Sequence, residues 1–274
     1  MRRVRVGGLT VGAGAPLAVI LGPCGLESRD LALTVAETCA RLCATRGIPF
    51  VFKGSFDKAN RTSGGAWRGP GLDAGLRILE EVRRQIGVPV TTDIHLPSQA
   101  GPVAEIVDLL QVPAFLCRQT DLLTACAATG LPVNIKKGQF VAPDAMGHAV
   151  AKASGPGGVL VTERGTTFGH GDLVVDLRGL PILASLGVPV VFDATHSVQR
   201  PSMLGTHSGG NRRFVRCLAR AAIAAGADAV FAEVHPDPAS ALSDAATQLP
   251  LDALPGLLDE WVRLAELIRA LAAP

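Results

Sequence analysis

Cationic and hydrogen-bonding side chains are concentrated in one stretch of the sequence, residues 53–63, which reads KGSFDKANRTS. This stretch follows a short apolar run over residues 49–52 that is typical of a buried strand. Arginine offers a planar fork to phosphate or carboxylate, and lysine offers a point charge. Cations at this density, at the end of a buried strand, therefore predict a binding site for phosphate and carboxylate groups.

Further cations follow other apolar runs, and together they form a set that would repel itself without an anion. The set comprises Lys53, Lys58, Arg61, Arg118, Lys136 and Arg164. Two phosphate-bearing substrates would need about this many cations. The alternative is that carboxylates within the protein neutralise them, namely Asp57, Glu163 and Asp193.

A second set of residues has the chemistry of a metal site: Cys24, His196, Glu233 and Asp244. A thiolate, an imidazole and two carboxylates suit Zn²⁺, Fe²⁺, Mn²⁺ or Co²⁺. The four residues are far apart in the sequence, so their spacing alone does not establish a site. Two alternatives remain open. Asp244 caps a helix, or Cys24 is a nucleophile assisted by His196, although no acyl-transfer signature accompanies it.

The elements that must position these residues alternate between short apolar runs and segments of helical periodicity. The eight strand candidates are residues 17–21, 49–52, 89–92, 106–111, 132–135, 158–161, 189–192 and 229–232. The helical candidates include residues 29–46, 72–86, 121–129, 211–225 and 251–271, the last with its start at Asp252. Strands that are apolar throughout indicate a parallel sheet covered on both faces. Eight such units predict a (β/α)8 TIM barrel, with a doubly wound open sheet as the alternative.

The alternation of Val4, Val6, Leu9 and Val11 predicts a β-hairpin within residues 1–14, ahead of the barrel. No polar linker divides the chain, so residues 1–274 are predicted to form a single domain. The active site of a TIM barrel lies at the carboxyl ends of its strands, and polar or ionisable side chains follow each of the eight strand candidates. Their convergence on one rim predicts an active site there.

Composition excludes several classes of protein. A net charge of +2 and an aromatic content of 4% disfavour a nucleic-acid-binding protein. The apolar run over residues 17–22 is too short for a secretory signal, and no run approaches the roughly 20 residues of a membrane span, so a cytoplasmic protein is expected. The six cysteines show no disulfide framework, and we expect Cys39, Cys43 and Cys126 to be buried free thiols.

With these residues in view, the chain resembles the 3-deoxy-D-manno-octulosonate 8-phosphate synthase family along nearly its whole length. The motifs that carry the resemblance are GPCGLES from Gly22, FKGSFDKANRTS from Phe52, RGPGLDAGL from Arg68, TDIH from Thr92, QVPAFLCRQTDLL from Gln111, VNIKKGQF from Val133, TERGTTFG from Thr162, VVFDATHSVQRP from Val190, SGG from Ser208 and EVHPDPASALSDA from Glu233. Several of them are long and ungapped.

The resemblance implies a TIM barrel, usually a homotetramer, that condenses phosphoenolpyruvate with D-arabinose 5-phosphate on the path to lipopolysaccharide. The related 3-deoxy-D-arabino-heptulosonate 7-phosphate synthases, which use erythrose 4-phosphate, are the alternative. They typically have Lys-Pro-Arg-Thr where this chain has Lys58-Ala59-Asn60-Arg61-Thr62, so Asn60 favours arabinose 5-phosphate.

Roles for individual residues also follow from the resemblance. Phosphoenolpyruvate would be bound by Lys53, Lys58, Gln111, Lys136 and Arg164. The sugar phosphate would be bound by Asn60, Arg61, Thr62 and Asp93, and by Arg118 of a neighbouring subunit. The catalytic set would be Lys58, Asn60, His196 and Asp244, with Lys58 as a proton donor and His196 or Asp244 handling the protons of water.

Members of the family are either metal-dependent or metal-independent, and the latter generally have Asn where Cys24 stands. Cys24, His196, Glu233 and Asp244 match the metal-binding pattern, which implies a divalent cation as cofactor. The chain departs from the family pattern in loops near the sugar site or interfaces, at Gly64-Gly65-Ala66-Trp67 (usually Ile-His-Ser-Phe/Tyr), Leu96, His170 and His207. These departures bear on substrate affinity more than on reaction type.

Two rival functions are compatible with a cationic barrel. A Schiff-base aldolase would form an imine between its substrate and Lys53 or Lys136. Borohydride would reduce that imine to a stable covalent adduct. A barrel that only senses sugar phosphates would be expected to have lost residues that bind metal or phosphoenolpyruvate, and none is missing from this sequence.

Overall fold

A β-hairpin opens the chain in the computed structural model, which describes residues 2–61, 63–167, 171–200 and 209–272. Its strands β1 (Arg3–Val6) and β2 (Leu9–Gly12) are antiparallel, with Arg3 opposite Gly12. Val4, Val6 and Val11 point to one face and are buried. The hairpin predicted from the alternating valines is confirmed.

Eight parallel strands form a closed barrel behind this hairpin. They are β3 (Ala18–Gly22), β4 (Phe50–Lys53), β5 (Val90–Asp93), β6 (Leu109–Val112), β7 (Val133–Lys136), β8 (Val159–Glu163), β9 (Val190–Asp193) and β12 (Ala229–His235). Each strand from β3 to β9 pairs with the next, and β12 pairs with both β3 and β9. The sheet therefore has no open edge, which confirms the TIM barrel and excludes the doubly wound sheet.

Side chains alternate between the inside and the outside of the barrel along every strand. The inward side chains near the strand starts are apolar, such as Ile20, Val51 and Leu160, and they form one cluster with the hairpin valines. The outward side chains form a larger cluster with the helices. The hairpin thus closes the amino-terminal end of the barrel, and polar inward positions occur toward the carboxyl end.

Eight helices accompany the strands in the described residues: α1 (Arg29–Ala44), α2 (Leu72–Ile86), α3 (Ala100–Ala104), α4 (Thr120–Ala128), α5 (Met146–Ala153), α6 (Gly179–Ser185), α7 (Val215–Ala224) and α8 (Leu254–Ala272). Helices α3, α5 and α6 were not among the predicted helices, because segments of five to eight residues carry little periodicity. Asp252 does not start α8. It lies in the preceding 3₁₀ turn Leu251–Ala253.

Short strands hold two loops at the carboxyl end of the barrel. Strands β10 (Gln199–Arg200) and β11 (Gly209–Gly210) pair with each other, and β13 (Leu249–Pro250) pairs with the end of β12. Elsewhere, Cys39, Cys43 and Cys126 are buried in helices as predicted, and burial raises the pKa of the Cys126 thiol to about 11. Within the described residues, no helix combines the length and the apolar character needed to cross a membrane.

Candidate active site

Lys53 and Glu233 form a fully buried ion pair at the carboxyl end of the barrel. Both point inward, from the ends of β4 and β12, and Lys53 Nζ lies 2.7 Å from Glu233 Oε1. Lys53 Nζ also donates to the carbonyl of Cys24 at 2.7 Å. Burial lowers the pKa of Lys53, and Glu233 opposes that effect. Lys53 therefore joins three parts of the barrel, and it lies below the cavity rather than in its wall.

A second ion pair joins Lys136 to Asp193. Lys136 Nζ donates to Asp193 Oδ2 at 2.6 Å and lies 3.7 Å from the centre of the Phe231 ring. The backbone N–H of His196 donates to Asp193 Oδ1 at 2.9 Å, and His196 Nδ1 lies 2.7 Å from Asp193 Oδ2. Burial alone would raise the pKa of Asp193, but His196 and Lys136 hold it well below its usual range. Asp193 thus orients a lysine and a histidine that face the cavity.

A chain of buried hydrogen bonds crosses four strands and ends on Asp93. Thr162 Oγ1 donates to Asn134 Oδ1 at 2.7 Å, and Asn134 Nδ2 donates to Gln111 Oε1 at 3.0 Å. Gln111 Nε2 then donates to Asp93 Oδ1 at 2.7 Å. Every donor points the same way, so the orientation of both amides is set. The sequence pattern did not predict Asn134 and Thr162 as site residues, although each lies two residues before a cation at a strand end, Lys136 or Arg164.

The other oxygen of Asp93 connects to Lys58. Ser55 Oγ donates to Asp93 Oδ2 at 2.5 Å, and Lys58 Nζ donates to Ser55 Oγ at 3.0 Å. Burial lowers the pKa of Lys58, but the carboxylates of Glu233, Asp93 and Asp244 outweigh burial, so its pKa lies above the usual value. Burial would raise the pKa of Asp93, and the lysines around it hold that pKa below its usual range. Lys58 is therefore a cation, and Asp93 is a carboxylate with both oxygens engaged.

Three of the four predicted metal ligands lie together. Ligand atoms of Cys24, Glu233 and Asp244 are all within 4.8 Å of one another, and Cys24 Sγ donates to Asp244 Oδ2 at 3.3 Å. His196 Nε2 adjoins them, 3.6 Å from Glu233 Oε1 and 3.8 Å from Asp244 Oδ2. Asp244 does not cap a helix. Its backbone is left-handed, with φ of 50°, and its side chain faces Cys24.

The donors present fit a divalent cation. Glu233 Oε2 is buried and has no hydrogen-bond partner in the described structure, which is costly for a carboxylate oxygen. Burial and the carboxylates of Asp244 and Glu233 raise the pKa of the Cys24 thiol well above its usual range. A bound cation would reverse this effect, because it stabilises a thiolate and satisfies the free oxygen.

Gln248 and Ser243 support this cluster and were missed in the sequence. Gln248 Oε1 accepts from the backbone N–H of Cys24 at 3.1 Å, and its amide donates to the carbonyl of Ser243 at 2.8 Å. Ser243 Oγ lies 2.8 Å from Cys24 Sγ. The loop that carries Asp244 is therefore tied directly to the turn that carries Cys24. A buried amide of this kind has no local sequence signal, since its partner lies 224 residues away.

A cavity of about 590 Å³ opens above these residues at the carboxyl end of the barrel. Eight predicted site residues line it: Lys58, Asn60, Arg61, Asp93, Lys136, Arg164, His196 and Asp244. Cys24, Lys53, Gln111 and Glu233 are buried and are not part of its wall. Arg118 is exposed on this chain and also lies outside the wall. Thr62, His170 and His207 lie outside the described residues.

Two arginines have guanidinium donors without partners among the described residues. Arg164 is buried, and its Nη2 donates to Gln199 Oε1 at 2.9 Å, while Nη1 has no partner. Arg61 Nε donates to the carbonyl of Trp67 at 3.0 Å, while Nη2 has no partner. Burial lowers the pKa of Arg164. Unpartnered guanidinium groups in the wall of a cavity are suited to anionic ligands.

Neutralisation inside the protein accounts for only part of the cationic set. Asp193 does pair with Lys136. Asp57, however, pairs with Arg68, and Glu163 Oε1 lies 3.6 Å from Lys137 and accepts from the backbone of Gly165. Glu163 and Asp57 are therefore engaged by other residues, and the two cavity arginines, Arg61 and Arg164, form no ion pair with a carboxylate among the described residues.

Fold and site together define a class: (β/α)8-barrel proteins with a cavity lined by lysines and arginines at the carboxyl ends of the strands, beside a cluster of side chains of the types that bind metals. Comparison with known proteins narrows this class. The family model of the DAHP synthetase I family matches residues 3–270, and the chain belongs to that family.

Three similar curated relatives share one name, 2-dehydro-3-deoxyphosphooctonate aldolase. The protein of that name from Magnetococcus marinus is 55% identical over 261 residues, which cover 94% of this chain and 91% of the relative. The one from Acidithiobacillus ferrooxidans is 54% identical over 257 residues, or 93% and 92% of the two chains. The one from Trichlorobacter lovleyi is 50% identical over 270 residues, or 98% and 99%. The resemblance stated from the motifs is confirmed.

Proposed function

We propose that the protein is a 3-deoxy-8-phosphooctulonate synthase. It condenses phosphoenolpyruvate with D-arabinose 5-phosphate and water, and it releases 3-deoxy-D-manno-octulosonate 8-phosphate and inorganic phosphate. The observation that carries the proposal is one cavity whose wall contains lysines and unpartnered guanidinium donors beside the Cys24–Glu233–Asp244 cluster. Relatives at 50–55% identity over nearly the whole chain bear the name of this activity.

Phosphoenolpyruvate is assigned to the part of the cavity next to Lys58, Lys136 and Arg164. Its phosphate and carboxylate match the guanidinium fork and the two ammonium groups. Lys53 and Gln111 act from below the cavity, because each is buried and bonded to a residue of the site. Fixing the substrate with its methylene carbon toward the aldehyde is an orientation effect of up to about 7–11 kcal/mol.

In the proposed reaction, the methylene carbon of phosphoenolpyruvate attacks the aldehyde carbon of the sugar, and a carbon–carbon bond forms. Water adds to the carbon that bears the phosphate, and phosphate leaves by cleavage of its carbon–oxygen bond. The aldehyde oxygen takes up a proton and becomes a hydroxyl. Lys58 is the proposed donor of that proton, because its side chain is a charged ammonium group that lines the cavity. His196 and Asp244, also in the wall, handle the protons of water.

Cys24, His196, Glu233 and Asp244 are the proposed ligands of a divalent cation, with Mn²⁺, Fe²⁺, Zn²⁺ and Co²⁺ as candidates. Such an ion, when bound, polarises an oxygen atom or orients water. The residues around it act independently of its identity: Gln248 holds the Asp244 loop, and Asp193 orients His196.

The sugar phosphate is assigned to Asn60, Arg61, Thr62 and Asp93. Arg118 is proposed to reach it from a neighbouring subunit of a homotetramer. The homotetramer, the cytoplasmic location and the single domain over residues 1–274 stay predictions.

The choice of acceptor tests the proposal. Phosphate release from phosphoenolpyruvate is measured with arabinose 5-phosphate and, separately, with erythrose 4-phosphate. We expect turnover with the five-carbon sugar, and preference for the four-carbon sugar would make the protein a 3-deoxy-D-arabino-heptulosonate 7-phosphate synthase instead. Borohydride added during turnover is expected to trap no covalent adduct, whereas an adduct on Lys53 or Lys136 would establish a Schiff-base aldolase.

A further inference from the structure

Trp67 connects two parts of the site that are far apart in the sequence. Trp67 lines the cavity, and its carbonyl accepts the Nε–H of Arg61 at 3.0 Å. Arg61 Nη2 is buried without a partner in the described structure, and the bond from Nε to Trp67 helps to orient the guanidinium group. The position of Trp67 therefore contributes to where Arg61 presents its free donor.

The ring of Trp67 packs against Gly25, the residue after Cys24. A methyl group at Gly25 would lie 2.7 Å from Cζ3 and 2.8 Å from Cη2 of the Trp67 ring, closer than carbon atoms approach in folded proteins. The next atom that such a methyl would meet is the carbonyl oxygen of Ser55, at an ordinary 3.7 Å. Gly25 also lacks a positive φ, so its backbone accepts a side chain. The indole is thus the sole obstacle to a side chain at position 25 among the described residues.

Backbone contacts hold the base of the loop that carries Trp67. The N–H of Lys58 donates to the carbonyl of Arg68 at 2.6 Å, and the N–H of Gly71 donates to the carbonyl of Phe56 at 3.1 Å. The outer edge of the indole then reaches from this loop to the end of β3. A phenylalanine ring at position 67 would lack Cζ3 and Cη2 and would leave that space empty.

We propose that Gly25 and Trp67 form a packed pair that sets the position of Arg61 and so determines the fit of the acceptor phosphate. The pair places a large ring against a residue without a side chain. A change on either side shifts the loop, and a matched change on both sides restores the packing. This inference rests on the proposed function, because it assigns Arg61 to the phosphate of the sugar.

The test is a double-mutant cycle of Gly25→Ala, Trp67→Phe and the double variant. In Gly25→Ala, the methyl displaces the indole, and we expect the KM for arabinose 5-phosphate to rise about tenfold, the size of one disturbed charge-assisted hydrogen bond. Trp67→Phe leaves a gap and raises the same KM. In the double variant the methyl occupies the gap, so the KM falls below that of Gly25→Ala alone. The KM for phosphoenolpyruvate stays within about twofold of the wild-type value, since its ligands lie elsewhere.

Gly101→Ala is the matched control, because a methyl at Gly101 would meet no atom within 4 Å and Gly101 lies in α3, outside the cavity wall. We expect its KM values to equal those of the wild type. Equal acceptor KM values for Gly25→Ala and Gly101→Ala would overturn the proposal. So would a double variant whose effect is simply the product of the two single effects.

A second readout separates this inference from the proposed function. The sequence has two tryptophans, and Trp261 is fully buried in the core, so ligand-dependent changes in emission report on Trp67. Titration with arabinose 5-phosphate is expected to change the emission of the wild type and not that of Trp67→Phe. A wild type that neither binds nor turns over this sugar would refute the proposed function. A wild type that does both, with no coupling in the cycle, refutes only the Gly25–Trp67 pair.

Discussion

The carboxylate of Glu233 shows how single atoms define this site. Its Oε1 accepts the ammonium group of Lys53, while its Oε2 is buried without a partner in the described structure. Burial would raise the pKa of Glu233, yet Lys53 and His196 hold that pKa below its usual range. The carboxylate is therefore charged and buried, and one of its two oxygens has no hydrogen-bond partner in the described structure. A cation bound by Glu233, Cys24 and Asp244 would supply a partner for that oxygen.

Metal removal is predicted to abolish activity. Treatment with EDTA followed by desalting should stop phosphate release, and one of Mn²⁺, Fe²⁺, Zn²⁺ or Co²⁺ should restore it. Metal content, measured by mass spectrometry, should fall in Cys24→Ser, because a thiolate ligand is lost. Cys217→Ser is the control, since Cys217 is exposed on α7 and should leave the metal content unchanged. Full activity in EDTA, with no bound metal, would contradict the four-ligand assignment.

At the level of the elements, the barrel strands act as supports for a network that crosses them. Thr162 on β8, Asn134 on β7 and Gln111 on β6 pass hydrogen bonds in one direction to Asp93 on β5. Inward positions on neighbouring parallel strands lie close enough for such contacts. The network keeps the buried amides from rotating and keeps Asp93 in a single orientation. Residues that never reach the cavity therefore set the geometry of one that does.

Removing the first donor of this network is predicted to affect acceptor binding. Thr162→Val keeps the shape of the side chain but leaves Asn134 Oδ1 without its donor, a loss of about 1–3 kcal/mol. We expect the KM for arabinose 5-phosphate to rise and Thr162→Ser to retain wild-type kinetics. Thr91→Val is the matched control, because Thr91 Oγ1 is equally buried but donates to the carbonyl of Leu109. Thr91→Val should lower the free energy of unfolding and leave the kinetic constants unchanged. Equal kinetic effects at both positions would show that the network has no positioning role.

The amino-terminal hairpin is predicted to matter for stability and not for chemistry. Val6 is fully buried against the barrel interior, at the end opposite the cavity. Val6→Ala should lower the free energy of unfolding by about 2 kcal/mol, because it leaves a cavity among well-packed side chains. Thermal unfolding and kcat are the measurements, and kcat should not change. Val174→Ala makes the same chemical change at a half-exposed side chain and should leave the melting temperature almost unaltered. A large drop in kcat for Val6→Ala would show that the two ends of the barrel are coupled.

For the whole molecule, the rim of the barrel on a single chain leaves the cavity partly open near Phe115. Phe115 lines the cavity and is 50% exposed, and Arg118, three residues further, is exposed and outside the cavity wall. An aromatic ring and an arginine exposed at the edge of a site are typical of residues covered by a partner. The proposed homotetramer would use this surface and would bring Arg118 to the site of a neighbouring subunit.

Subunit complementation tests this arrangement. Arg118→Ala should raise the KM for arabinose 5-phosphate, because the neighbouring site loses a phosphate ligand. Lys58→Ala should inactivate its own site. The two variants are co-expressed with different affinity tags and purified as mixed oligomers, which should recover activity. In these oligomers, a site with an intact Lys58 receives an intact Arg118 from the neighbouring subunit. Mixed oligomers without recovery, or wild-type acceptor kinetics in Arg118→Ala, would place Arg118 outside the site.

The sequence by itself determined the barrel, the hairpin, the family and most of the residues at the carboxyl ends of the strands. These follow from local patterns: apolar runs, their alternation with helical segments, and ungapped motifs such as the one that contains Lys58 and Asn60. Short helices such as α3 and α6 carry too little periodicity to be found this way. The sequence pattern also does not show how deeply a side chain is buried. Lys53 and Lys58 were therefore both predicted to bind substrate, although only Lys58 lines the cavity.

Only the tertiary structure decided which groups lie together. Gln248 contacts Cys24 across 224 residues, Lys53 pairs with Glu233 across 180, and Trp67 packs on Gly25 from a separate loop. Such contacts depend on the closure of the barrel, which brings strand ends together irrespective of their distance in the chain. The energy of a buried charge or amide depends on those neighbours and not on its own position in the sequence. For that reason, the residue types indicated which chemistry is possible, and the tertiary structure determined which residues contact one another.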